Sequence, residues 1–166
     1  MNLLNNYYEL DESINLEFSL EVKAVFSENT YLAAGSKKKK YRSGIVRKVP
    51  YLYKRSDVRG YQASLEKQFY KKYKEYIVSN IDFFSNKRFF SVFQYHLNHS
   101  IDRRDLSNMK KLLEDSMTNV IKKVLKEVKS ANKFDDSDIY ETREVKLPVD
   151  TDSSLEIIKI NLFKIV

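Results

Sequence analysis

Acidic residues bracket one long helical stretch of this chain. On its near side Asp102, Arg103, Arg104 and Asp105 precede an apolar periodicity, Ser107 and Asn108 fall in its first turn, and Lys111 lies one turn beyond Ser107. On its far side Asp135, Asp136 and Asp138 cluster at the entry to a strand that closes on Leu147, Pro148 and Val149. Carboxylates at the mouth of a helix, a cation one turn inside it and further acids at a strand entry suit a Mg²⁺ site for cutting a phosphodiester. The hard ion takes oxygen ligands, and charge developing on the phosphate needs a positive partner. Asp105 also has a purely local use, because an Asp before a helix can accept from its orphan amides.

Helix geometry limits which acids can share an ion. Ten residues separate Asp105 from Asp115, roughly 15 Å along a helix axis, against Mg–O distances near 2.1 Å. Asp115 instead follows Lys111 by four residues, where it can pair with that lysine and orient it, while Glu114 is expected to point elsewhere. Asn108 is read as a brace for the helix entry or for a ligand. His96 and His99, a few residues before Asp102, are read as structural rather than catalytic.

The elements that must position these groups follow from periodicity. Ile14 to Phe26 alternates Ile14, Leu16, Phe18, Leu20, Val22, Ala24 and Phe26 against mostly polar residues, the pattern of a half-buried strand. From about Asp57 to Asn80 the spacing of Leu65, Phe69, Tyr73, Tyr76 and Ile77 predicts a helix. Phe89 to Leu97 is apolar on both faces and reads as a central strand. A second helix from about Asp105 to Lys129 carries a buried stripe of Met109, Leu112, Leu113, Met117, Val120, Ile121, Val124 and Val128. Ile139 to Val149 and Leu155 to Ile165 read as two final strands, and the polar turn Asp150 to Ser153 between them suggests an antiparallel hairpin. The order predicts one α+β domain over residues 1–166, a mixed sheet with two main helices packed on it.

Charge is as unevenly placed as the acids. The chain carries a formal net charge of +7 over 166 residues. Nine basic residues, Lys37, Lys38, Lys39, Lys40, Arg42, Arg47, Lys48, Lys54 and Arg55, fall between Leu32 and Ser56 with no acid among them, so the whole basic excess belongs to that segment. With Arg59 the stretch, about 32–59, is the footprint of a polyanion partner, and Arg103 and Arg104 add charge beside the acids. Tyr41, Tyr51 and Tyr53 interleave with the cations, as on surfaces that combine phosphate contacts with base stacking. The segment also carries Gly35, Gly44 and Pro50 and reads as a long loop or ribbon. Zero cysteines exclude a disulfide framework, a thiolate zinc site and a cysteine nucleophile. No GxGxxG or Walker pattern is present. No stretch approaches the roughly 20 apolar residues that span a membrane, and the first residues lack the features of a signal peptide. An intracellular protein is expected.

Taken in order, Arg104-Asp105-x-Ser107-Asn108, Lys111, Asp115, Asp135-Asp136 and the closing Leu-Pro resemble the RusA family of Holliday junction resolvases, found mostly in bacteriophages and prophages. The likeness is strong over about 102–149 and loose elsewhere. It implies a RusA-like fold and a homodimer that cuts branched DNA, four-way junctions above all, with Mg²⁺ or Mn²⁺, in the cytoplasm of a bacterial cell or a phage-infected host. By position it implies that Asp105 and Asp136 bind metal and that Lys111 contacts the scissile phosphate. One position departs: where the family has a second acid, this chain has Ser107. Three explanations stay open. Ser107 ligates through its hydroxyl or a water; Asp135 or Asp102 supplies the missing carboxylate; or the site is weakened, leaving a DNA-binding or regulatory protein on the same fold.

Overall fold

The computed structural model describes residues 10–22, 32–54, 56–85, 88–97, 107–148 and 155–165. Along the chain run β1 (Leu10–Val22), β2 (Leu32–Lys40), β3 (Val46–Lys54), α1 (Ser56–Ser79), a 3₁₀ turn at Ile81–Ser85, β4 (Phe89–Leu97) and α2 (Ser107–Glu127). A second 3₁₀ turn at Asp136–Asp138 then leads into β5 (Ile139–Pro148), and β6 (Glu156–Ile165) ends the described chain. Four strands form a mixed sheet in the order β1-β6-β4-β5, and β2 with β3 forms a separate two-stranded ribbon. The chain is a single α+β domain with two helices on the sheet, as the periodicity predicts.

Alternation decides which face of the sheet is covered. Leu16, Phe18, Leu20 and Val22 of β1 are buried, while Glu17 and Glu21 between them are exposed. Phe18 meets Phe69 and Tyr73 of α1 at ring-centroid distances of 4.8 and 5.1 Å. Across the same face, Leu113, Met117, Val120, Ile121 and Val124 of α2 join one core cluster with Phe93, Tyr95, Ile158, Ile160 and Leu162. Each such side chain contributes on the order of 1.5–3 kcal/mol by leaving water, so this single covered face holds the domain together.

β4 is central, as its two-faced apolarity predicts: it pairs parallel with β5 on one side and antiparallel with β6 on the other. The expected β5–β6 hairpin is not formed, because β4 lies between them. The reason is the helix before β5. Two strands joined through a long helix become parallel neighbours by a crossover, so β4–α2–β5 takes one edge of β4. β6 must then return along the other edge, where it also pairs with β1.

α2 ends at Glu127, two residues before the expected end near Lys129, and Val128, expected to be buried, is 38% exposed. The termination is a hydrogen-bonded one: Ser130 N–H donates to the Leu125 carbonyl at 3.0 Å and Lys129 N–H to the Lys126 carbonyl at 3.1 Å. This pattern needs a left-handed residue after the helix, and Lys129 fills it with φ of 53°. A side chain in that conformation is strained where glycine is not. Lys129→Gly is therefore expected to raise the unfolding free energy by roughly 0.5–1 kcal/mol, measured by urea denaturation; a loss of stability would show that the lysine side chain contributes something the backbone geometry does not.

Candidate functional site

The segment between α2 and β5 carries the second acidic cluster, and four contacts pin it. Asn132 donates to the Ile81 carbonyl at 2.9 Å. Phe134, 2% exposed, packs between Phe84 and Phe89 with centroids at 5.5 and 5.3 Å. Asp135 pairs with Lys122 of α2 at 2.7 Å. Finally the Asp135 N–H donates to an Asp138 carboxylate oxygen at 2.8 Å, and Asp138 N–H to the Asp135 carbonyl at 3.0 Å, closing the 3₁₀ turn.

These contacts separate Asp135 from Asp136 in role. The Asp135 carboxylate is held well below the usual range, at about 2, by the neighbouring Asp136 carboxyl and by the Lys122 ammonium. Lys122 lies fifteen residues beyond Ser107, roughly 22 Å along the helix axis, a span that the reach of neither side chain closes. Asp135 and Ser107 are therefore not brought to one ion. Asp136 is exposed and uses one oxygen to accept from the Ser137 N–H at 3.0 Å.

The acid that the fold turns toward the sheet is Glu114, contrary to the expectation that it points elsewhere. It follows Ser107 by seven residues, two turns along the same side of α2 and roughly 10 Å away. Half-buried, it accepts from the Thr142 hydroxyl on β5 at 3.3 Å, and Thr142 in turn shares a 2.7 Å bond with Ser91 on β4. Burial raises the Glu114 pKa; Asp115 and Asp136 push it further up, while Lys110 and the Thr142 bond pull it down. Asp136 thus lies within electrostatic reach of Glu114, at the middle of α2. Deeper on the same face the Tyr95 hydroxyl is fully buried with no hydrogen-bond partner among the described residues. Its ionisation is strongly opposed, first by burial and then by the Glu144 and Glu114 carboxylates.

Of the other expected site residues, Lys111 is exposed and Asp115 half-buried on α2. Asp102, Arg103, Arg104, Asp105, Arg55 and His99, and the side chains of Ser107, Asn108 and Lys54, lie outside the described residues. His96 sits on the sheet face opposite Tyr95, its pKa lowered by burial and by Lys159. Among the described residues no three acidic or histidine side chains are grouped to hold a metal ion. Asp136 can contribute one hard oxygen ligand.

Sequence reasoning missed Glu114, Thr142, Ser91, Lys110 and Lys122. Two spacings carry a signal for Glu114: seven residues after Ser107, and four after Lys110, an i,i+4 pair. The basic segment is the ribbon of β2 and β3, and every residue from Ser36 to Lys48 is exposed. Arg59, on α1, is exposed as well.

Two outcomes check this geometry. Phe134→Ala should cost about 3–5 kcal/mol, the usual range for emptying an aromatic core position. It should also let the Asp135 pKa rise toward the ordinary aspartate value, read by carboxyl NMR; a stability loss with an unchanged Asp135 would mean that its Asp136 and Lys122 contacts hold the acid without the ring. For Glu114, an acid with a raised folded-state pKa costs stability above that pKa and none below its unfolded value. Glu114→Gln should accordingly raise the melting temperature near neutral pH and leave it unchanged below about pH 4, and a variant no more stable at neutral pH would contradict the burial argument.

The chain matches no protein-family model and no curated protein, so what it does has to be argued from these residues and their placement.

Proposed function

We propose that the protein is a Mg²⁺-dependent, structure-selective endodeoxyribonuclease of the RusA type that acts on four-way junctions and other branched DNA. The observation that supports this reading is that the turn bearing Asp136 packs back against α2 past the end of that 21-residue helix, with Asp135 paired to Lys122. Acids brought back to α2, with an exposed lysine on that helix and an exposed basic ribbon elsewhere on the chain, suit a cation site completed by Asp105 together with a polyanion grip. Asp136 and Asp105 would hold the ion, which when bound polarises the phosphate and activates a water.

The chain's own groups have separate tasks in this scheme. Lys111, exposed on α2, offsets negative charge on the scissile phosphate. Asp115, one turn further on, orients that lysine. Lys37 to Arg59 grip the DNA backbone, and contacts of that kind weaken steeply with salt. Junction preference comes from pairing two copies, because two sites must reach two strands.

One observation favours a second reading, a catalytically weakened DNA-binding or regulatory protein. Asp135, one of the acids able to make up for Ser107, is committed to Lys122 well down the helix. Both readings are tested by incubating the protein with a synthetic four-way junction, with and without Mg²⁺ or Mn²⁺, beside Asp105→Asn, Asp136→Asn and Ser107→Asp. The nuclease reading expects metal-dependent cleavage, lost by on the order of 10²-fold or more in each Asn variant. Junction binding without cleavage, with cleavage gained in Ser107→Asp, would establish the weakened site instead.

A further inference from the structure

The basic ribbon has a property that charge alone does not give it. β2 and β3 pair antiparallel with Lys38 opposite Lys48 and Lys39 opposite Arg47, while Lys37 faces Val49 and Lys40 faces Val46. Side chains alternate across a strand, and directly paired residues share a face. Lys38, Lys40 and Lys48 therefore occupy one face, and Lys37, Lys39 and Arg47 the other. Three cations stand on each side, and all six are exposed. Lys39 lies over the Tyr41 ring at 5.4 Å, as two residues on one face should.

This is an unfavourable way to build a ribbon that only needs to be soluble. Like charges placed directly opposite destabilise a strand pair, and here both faces carry such a pair. A two-stranded ribbon is marginal to begin with. A cationic surface for a single flat polyanion needs charge on one face. Charge on both faces suits a ligand with two negatively charged walls.

The tip completes the description. The chain reverses through Tyr41 to Ile45, closed by Tyr41 N–H to the Ile45 carbonyl and Gly44 N–H to the Tyr41 carbonyl, both at 2.9 Å. Gly44 has φ of 80°, the left-handed conformation that this reversal requires. Around the turn Tyr41, Ile45 and Val46 are 40%, 51% and 54% exposed. A highly charged ribbon thus ends in a turn where these apolar side chains flank the exposed Arg42 and Ser43.

We propose that the β2–β3 ribbon enters the major groove of a DNA duplex arm, its two faces toward the phosphates of the two walls and its tip, Arg42 with the apolar side chains beside it, toward the base edges. The major groove of B-form DNA is about 12 Å wide and admits a two-stranded β-ribbon, whereas the deep, narrow major groove of A-form RNA does not. Thymine methyl groups on the groove floor suit Tyr41, Ile45 and Val46. The inference takes DNA as partner from the proposed function and is independent of the carboxylate site.

The test uses the full chain, a linear DNA duplex and a double-stranded RNA of the same length and sequence. Binding is measured over a salt series without divalent metal, so that a failure of cleavage chemistry cannot affect it. Lys38→Ala with Lys48→Ala removes the cations of one face, and Lys39→Ala with Arg47→Ala those of the other; circular dichroism of each variant confirms that the domain is folded. Each pair is expected to flatten the salt slope by about 1.8, the release expected for two phosphate contacts, and the wild type should bind the DNA duplex more tightly than the RNA. A slope change confined to one pair would overturn the proposal in favour of a ribbon lying flat on one backbone. Equal affinity for DNA and RNA would overturn it in favour of a groove-blind cationic patch, and unchanged slopes in both variants would show that the ribbon does not contact DNA at all. Should the variants behave as expected while the four-way junction stays uncut with metal, the nuclease reading fails and the groove-binding ribbon stands.

Discussion

Phe134 determines where the second acidic cluster can be. After α2 ends, the chain turns back onto the helix before it enters β5, and in the run of Ser, Ala, Asn and Lys that leads there Asn132 holds it by a single bond to the Ile81 carbonyl. The ring of Phe134, closed in by Phe84 and Phe89, supplies the attachment. Phe83 stacks on Phe89 beside it, so the 3₁₀ turn after α1, the start of β4 and the return segment meet in one aromatic nest. Aromatic pairs of this kind add to the burial of large apolar area. Asp135 and Asp136, directly after Phe134, take their positions from that nest, and the Lys122 ion pair, largely exposed, orients one of them at small cost or gain.

The same constraint explains why the two aspartates differ although they are neighbours. One is turned back onto α2 and neutralised by a lysine; the other is left facing water and Glu114. A pair of adjacent acids looks interchangeable in a sequence. The two become unlike in their partners once a buried ring fixes the backbone before them and the 3₁₀ turn engages the Asp135 amide, although their carboxyl groups still interact.

Legibility in the sequence followed the extent of burial. β1 shows its one buried face as a clean alternation, α2 shows its stripe from Leu112 to Val124, and β4 shows its central place by being apolar on both faces. The partner of β5 was not legible, because a polar turn joins β5 to β6 equally well whether they pair directly or across β4. The crossover helix decides that, and its effect is on three-dimensional topology. The ribbon was legible as charge but not as an ordered pair of strands, since its residues from Ser36 to Lys48 are all exposed and show no apolar alternation. Glu114 escaped for the converse reason. Between Leu113 and Asp115 it looks like the polar edge of an amphipathic helix, and only the approach of Thr142 from β5 makes it part of the interior.

Glu114 also carries a local cost inside the fold. A carboxylate half-buried against a threonine, with a further buried tyrosine hydroxyl nearby, carries a desolvation cost that its hydrogen bond only partly offsets. A sequence shaped for stability alone would place glutamine or an apolar residue there. The charges that act on it are mixed: Lys110, one turn back on the same helix, favours its ionised form, and Asp115 and Asp136 oppose it. Burial outweighs them all, so the cost belongs to the desolvated carboxylate itself and not to a net field along α2.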